Sequence, residues 1–433
     1  MTQPVIRDDL TQRRRFADEP KLSAVAEVPE RPSFTCVLLG EEPLAARCAD
    51  VLVERGHQII GVVSGAAPLR QWARGRNIPV FARNEYRSWI ETQAFDVLFS
   101  ITHPNLIDPA HIGRARVAAL NYHDGPLPRY AGMNGSAWAL ASGEKQHAIV
   151  WHHLTSGLDE GDIVEWRDIG LDPRETSLSL NMQSSALALE AFHQLIDRLE
   201  TGDSRGTPQN QLVPRLVFSR HDRPKALCAL NLDEPAARLD CLIRACDFGP
   251  YDNRFGLPKL VSERGGLLVL EAASAQGKGL PGEVLGVADD GLELACGEGS
   301  LVLRRLATLA GRPLSPREAA EKLGLSVRGR VAALELAGPE RISRRVAEAE
   351  PWFVNALRQR AALTLPFDAR EQSPSVLPLV LPGSFEQAFA ADRQNAVASL
   401  FAFVLSSLCH KDGFGLGLVD GRVRDELGAA EPL

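Results

Sequence analysis

Asn121-Tyr122-His123 is followed, 36 positions after the histidine, by Asp159 in Leu158-Asp159-Glu160-Gly161-Asp162. An amide, an imidazole and a carboxylate are together the groups needed to move an acyl carbon onto an amine. The carboxamide can donate to an oxyanion as it forms. The imidazole can supply or share a proton. The carboxylate can fix the imidazole and collect the proton that the amine loses. That spacing alone is common by chance. The run Asn121-Tyr-His-Asp-Gly-Pro-Leu-Pro-Arg-Tyr-Ala-Gly132 around it is far more specific. Trp151, His152 and His153 fall on an expected strand, where adjacent side chains point to opposite faces. The two imidazoles are therefore read as structural, not as joint metal ligands, and no metal is implied.

The elements that must carry these groups read as strands alternating with helices. Phe34–Leu39, Gln58–Val63, Ile78–Phe81, Phe95–Ile101 and Ala118–Asn121 are short apolar strands, with helical stretches at 44–54 and 179–202. Alternation of this kind implies a Rossmann-like, mostly parallel sheet with flanking helices, whose ligands sit at the carboxyl ends of the strands. Asn121 and the loop after Ile101 both lie there. Leu39-Gly40 opens no Gly-x-Gly-x-x-Gly run, so the first turn lacks the dinucleotide fingerprint. Residues 208–229 are polar and interrupted by prolines, as in a linker. Short strands at 267–270, 282–287, 292–296 and 300–306, with glycines and acids at the turns, have the texture of a small OB-like β-barrel.

At 433 residues the chain is long enough for two or three cores, and 45% apolar with 24% charged residues describes a soluble globular protein. No apolar run approaches the length of a membrane span. The first 31 residues lack the apolar core of a secretory signal and read as a flexible leader. Seven cysteines without a C-x-x-C pair fit a reducing, cytoplasmic setting and no structural zinc. A net charge of −7 does not favour DNA or another nucleic-acid partner.

The Asn121-x-His123 run, the Leu-Pro and Gly that follow it, and Leu158-Asp159-x-Gly161 resemble the formyltransferases that use 10-formyltetrahydrofolate. That family includes glycinamide ribonucleotide transformylase, methionyl-tRNA formyltransferase and sugar-amine formyltransferases. The resemblance covers about residues 33–330. It implies Asn121, His123 and Asp159 as catalytic residues. It also implies a folate site lined by Pro104, Asn105, Leu106 and Ile107 together with Gly125, Pro126, Leu127 and Pro128. Gly125 stands where many relatives carry Ser, so no side-chain role passes to it. Trp138, His147–His152, Asp247–Asn253 and Pro258-Lys259 look like the formylation domain that opens some nonribosomal peptide synthetases. Pro281-Gly-Glu-Val and Cys296-Gly-x-Gly299 resemble the C-terminal barrel of methionyl-tRNA formyltransferase, but here acids and bases nearly balance, which lowers the expectation of tRNA. Further on, Glu350–Leu357, Ala396–Leu408 and Asp412–Gly417 resemble the opening of a synthetase condensation domain. His152-His153-Leu-Thr-Ser-Gly-Leu158 looks superficially like the active motif of such a domain but lacks its Asp-Gly.

The expected organisation is a leader (1–32), a catalytic domain (33–205), a linker (206–230), a β-barrel domain (231–330) and a partial α+β condensation-like tail (331–433), read either as an interaction platform or as a fragment of a longer synthetase. The resemblance implies formylation of an aminoacyl group held by a carrier protein, with downstream synthetase modules as partners. Methionyl-tRNA or an amino sugar is the alternative acceptor, and a non-catalytic scaffold the alternative class.

Overall fold

The computed structural model describes residues 32–41, 43–332, 337–358 and 393–409. The leader (1–31) and Asp412–Gly417 lie outside the described residues. The first half runs β1 (Thr35–Gly40), α1 (Pro43–Glu54), β2 (Gln58–Val63), α2 (Ala67–Arg74), β3 (Val80–Phe81), α3 (Arg87–Ile90), β4 (Phe95–Ile101) and α4 (Pro109–Ile112). It continues through β5 (Ala115–His123), β6 (Ala131–Gly132), α5 (Gly135–Ala141), β7 (Gln146–His153), β8 (Ile163–Gly170), α6 (Ser177–Glu200) and β9 (Val217–Phe218).

Seven of these strands form one sheet in the order β3-β2-β1-β4-β5-β7-β8. The pairs from β3 across to β5 are parallel. Strands β7 and β8 add in antiparallel fashion. The sheet is therefore mixed, with the expected parallel pairs in the majority and the antiparallel ones confined to β7 and β8. The chain returns alongside β5 in the opposite sense, and β7–β8 close as a hairpin at the edge.

Both faces of the parallel part are covered, which is why its strands read as unbroken apolar runs instead of alternating ones. On one face Cys36, Leu38, Val97, Phe99, Leu120 and Trp151 pack against Leu52 of α1 and Leu180, Phe192 and Leu195 of α6. On the other, Val37, Leu39, Val63 and Leu98 meet Tyr86, Ile90 and Ile107. Helix α6 begins at a Thr176 cap whose side chain accepts from the Ser179 N–H, while the Ser179 hydroxyl accepts from the Thr176 N–H. The Phe192 ring sits 5.2 Å from Phe99 and 5.1 Å from Trp151.

After a left-handed turn at Lys225–Cys228 come α7 (Ala236–Ala245), β10 (Lys259–Ser262), β11 (Gly265–Ala275), β12 (Val284–Val287), β13 (Leu292–Ala295), β14 (Ser300–Thr308), β15 (Pro313–Leu314) and α8 (Pro316–Leu323). Their sheet runs β10-β11-β14-β13-β12, with β15 added on β14. Among the described residues β12 and β10 do not pair. The expected barrel is thus an antiparallel sheet that stays open, curled over a core shared with α7 and α8. Register shifts in β11 at Val269–Ala272 supply the bend. Beyond it, α9 (Ala337–Arg358) takes in Glu350–Leu357, and the helix Arg393–Cys409 takes in Ala396–Leu408.

Phe192 joins the sheet to α6 through two ring contacts, so its truncation leaves a large void. Phe192→Ala should lower the unfolding free energy by about 3–5 kcal/mol, measured by urea titration followed at the tryptophan fluorescence.

Candidate active site

Strands β4, β5 and β7 bring the polar groups together by register. Ser100 pairs with Asn121 and Ile101 with Tyr122 in the parallel direction. Across the antiparallel ladder Asn121 pairs with His152. Directly opposed residues place their side chains on the same face of a sheet, so Asn121 Nδ2 lies 3.1 Å from His152 Nε2. His152 Nδ1–H donates to the His153 carbonyl at 2.8 Å. A carbonyl only accepts, so the neutral ring carries its proton on Nδ1 and takes one Asn121 N–H at Nε2. The other Asn121 N–H remains for a ligand.

His123 obeys the same logic. Its Nε2–H donates to the Tyr130 carbonyl at 2.8 Å. Its Nδ1 faces Asp159 Oδ2 at 3.6 Å and can donate to that carboxylate only when the ring holds both protons. Gly125 makes room for this contact. A Cβ there would lie 2.9 Å from His123 Nε2 and 3.0 Å from the Tyr130 oxygen.

Asp159 sits in a left-handed turn at φ 50°. Its Oδ2 accepts the Gly132 N–H at 2.8 Å, and its Oδ1 lies 3.6 Å from His152 Nε2. Burial by itself raises the pKa of this carboxyl. Once both rings are protonated, the charge of His123, the hydrogen bond and charge of His152 and the Gly132 N–H outweigh it and hold the group well below the usual carboxylate range. Asn121, His123 and Asp159 thus meet in one place, as expected from their types. The sequence reading missed His152, which it treated as structural, and Gly132. His152 becomes visible only once β7 is known to run antiparallel to β5 in this register.

The residues assigned to a folate site divide. Asn105 and Leu106 are exposed, Leu106 by 74%. Pro104 offers its carbonyl to Arg220 at 2.9 Å. Ile107 is buried in the sheet's second core, and Leu127 packs with Ala131 and Val150. Gly125 and Pro128 are buried and Pro126 half-buried. Just before Pro104, His103 lies near the Glu41–Arg83 pair, and its Nδ1 has no hydrogen-bond partner among the described residues. Burial pushes its pKa from 6.5 down to about 4, against the pull of Glu41 and with a smaller push from Arg83. No group of three or more His, Cys, Asp and Glu among the described residues could hold a metal. No helix among them is long and apolar enough to cross a membrane.

Comparison with known proteins bears directly on this arrangement. Residues 78–196 match the model of the formyl transferase family, and 224–324 match that of the formyl transferase C-terminal domain. The methionyl-tRNA formyltransferase of Anaeromyxobacter dehalogenans strain 2CP-1 is 30% identical over 305 residues, which cover 64% of this chain and 92% of that protein. The chain belongs to the formyltransferase family. The methionyl-tRNA formyltransferase of Pseudomonas fluorescens Pf-5 is 28% identical over 299 residues, covering 64% of this chain and 90% of its own. The fold is shared with WlaRD, a sugar 3N-formyl transferase solved with dTDP and 5-N-formyl-THF. That match has a TM-score of 0.52 at 16% identity and covers 63% of this chain and 97% of WlaRD. An N-formyltransferase from Helicobacter canadensis, in complex with folinic acid and dTDP-3-aminofucose, aligns with a TM-score of 0.51 at 15% identity, over 63% and 99% of the two chains. Family membership makes the chain a formyltransferase, and its chemistry the transfer of a formyl group.

Two outcomes follow from the geometry. Gly125→Ala should break the His123–Tyr130 bond, cost about 1–3 kcal/mol through overpacking, and move the His123 ring-nitrogen resonances in ¹⁵N NMR. His103 binds its proton more weakly folded than unfolded. Its contribution to stability is therefore complete above pH 6.5 and is lost as the pH falls toward about 4. His103→Gln should remove that loss, about 3 kcal/mol, from urea-unfolding free energies compared across this range.

Proposed function

We propose that the protein transfers the formyl group of 10-formyltetrahydrofolate to a primary amine, with Asn121, His123 and Asp159 as its catalytic residues. The observation that carries this reading is the Asn121 amide, oriented by His152 with one N–H spare beside the His123–Asp159 pair. The acceptor amine forms its bond to the formyl carbon, and the spare Asn121 N–H stabilises the oxygen as it gains charge. His123, doubly protonated, gives its Nδ1 proton to N10 as the C–N10 bond breaks. Asp159 holds His123 and takes the proton lost by the amine through water. In this reading Leu106 and Asn105, exposed in the loop that follows β4, supply apolar and polar cover to a flat pterin.

The acceptor we favour is the amino group of an aminoacyl unit tethered to a carrier protein. Its supports are the Trp138, Asp247–Asn253 and Pro258-Lys259 motifs, the net charge of −7, and the near balance of acids and bases in the C-terminal sheet domain. A second reading, methionyl-tRNA, is favoured by the named activity of the relative from Anaeromyxobacter.

Intact-protein mass after incubation with 10-formyltetrahydrofolate and an aminoacyl-loaded carrier, run beside methionyl-tRNA, separates the two. One added formyl mass on the carrier alone supports the first reading; formylation of the tRNA alone replaces it with the second. In either case Asn121→Ala should lower kcat by about 10²–10³-fold. Activity undiminished in that variant would remove Asn121 from the mechanism.

A further inference from the structure

The segment between the two halves of the molecule is read from sequence as a linker. It lies between the two stretches that the family models match, yet its side chains reach into the candidate site at three places. Gln209 Nε2 donates to the carbonyls of Asp159 at 2.8 Å and Gly161 at 2.9 Å. The Arg215 guanidinium donates to the Leu158 carbonyl and, at 3.3 Å, to that of Asp159, while it lies 3.7 Å from the Glu160 carboxylate. Three carbonyls of the turn that carries Asp159 are thus held by two side chains from 48 to 57 positions along the chain.

The same segment fixes the donor that Asp159 uses. Strand β9 pairs with β6, Ala131 against Val217 and Gly132 against Phe218. Ala131 N–H donates to the Leu216 carbonyl and Met133 N–H to the Phe218 carbonyl, each at 2.9 Å. Gly132 has φ 93°, and a Cβ there would fall 2.1 Å from the Phe218 oxygen, so strand and turn touch as closely as backbones can.

We infer that residues 209–218 form a strap whose Gln209 and Arg215 are positioning residues for Asp159. A non-glycine residue in the left-handed region costs on the order of 1–3 kcal/mol and persists only where its surroundings hold it. Here the strap supplies that hold from one side by clasping the carbonyls, and from the other by fixing the Gly132 N–H. Without the clasp the turn relaxes, and the carboxylate leaves Gly132 and both imidazoles. The inference rests on the reading that Asp159 serves the reaction.

The test follows Asp159 itself. Aspartate carboxyl carbons are labelled with ¹³C in the full chain, and the Asp159 signal is assigned by its loss in Asp159→Asn. The charged and titratable groups around it are His123 from β5, His152 from β7, Glu160 of its own turn and Arg215 of the strap. In the wild type the signal should stay that of a carboxylate to the lowest pH at which the protein remains folded. In Gln209→Ala and Arg215→Met it should titrate within the ordinary carboxylate range. Gln209 is uncharged, so a shift in its variant is not the loss of a nearby cation. Formyl transfer in both variants should fall roughly 10–100-fold in kcat at unchanged KM for the folate, as expected for a misplaced group. Arg205→Ala, just before the connector and paired through its side chain with Asp203, should match the wild type in both readouts. An unchanged Asp159 titration in Gln209→Ala and Arg215→Met, or a fall in thermal stability alone, overturns the strap. Full activity in Asp159→Asn overturns instead the reading on which it rests, while the titration still reports on the clasp.

Discussion

The carbonyl of His153 decides which nitrogen of His152 carries the ring proton, and the orientation of Asn121 follows from that one hydrogen bond. With Nδ1 as donor, Nε2 is an acceptor, and the amide must turn its NH₂ toward it. Were the proton on Nε2, the amide would present its oxygen to the ring and its NH₂ elsewhere. In the antiparallel β7 strand His152 lies directly opposite Asn121, and the carbonyl of the next residue, His153, is within reach of its Nδ1. The parallel strands on the other side serve as the rigid floor, packed on both faces, that keeps β5 from shifting.

Around that bond two opposing effects set the character of Asp159. Burial disfavours a lone carboxylate, and the turn that carries it is conformationally costly. Two imidazoles and a backbone N–H reverse the first effect. Side chains donating to the turn's carbonyls offset the second. A charged group held in this way undergoes little reorganisation when charge moves nearby, the property that electrostatic catalysis draws on.

Much of this was legible in the sequence, and the limits are physical. Asn121, His123 and Asp159 could be named because their types and the Gly-Pro-rich run around them report chemistry directly. The parallel strands were visible because burial on both faces gives continuous apolar runs. The direction of β7 was not, since a buried antiparallel strand and a buried parallel one share the same composition. That hid His152, whose importance lies in a cross-strand neighbour and not in its place along the chain. Curling of the second sheet was readable from its short strands and turns, but closure was not, because closing depends on whether two edges meet. Gln209 and Arg215 sit in a stretch whose polarity and prolines look like any connector. Hydrogen bonds from side chains to carbonyls leave no periodicity to find.

The clasp on the Asp159 turn separates two kinds of boundary that usually coincide. The last helix packed on the sheet before the connector, α6, ends at Glu200, so by element boundaries alone the unit is finished there, although Cys228, Ala245, Cys246 and Phe255 join the same core. The reacting groups are not finished until the chain has run on through Phe218, whose backbone backs Gly132. Anyone exchanging such modules between proteins would therefore choose differently according to the aim. A splice placed by element boundaries alone, just after α6, would join this sheet to another protein's grip on its carboxylate. A splice that carries chemistry intact belongs beyond the connector, with the connector travelling as part of the first module.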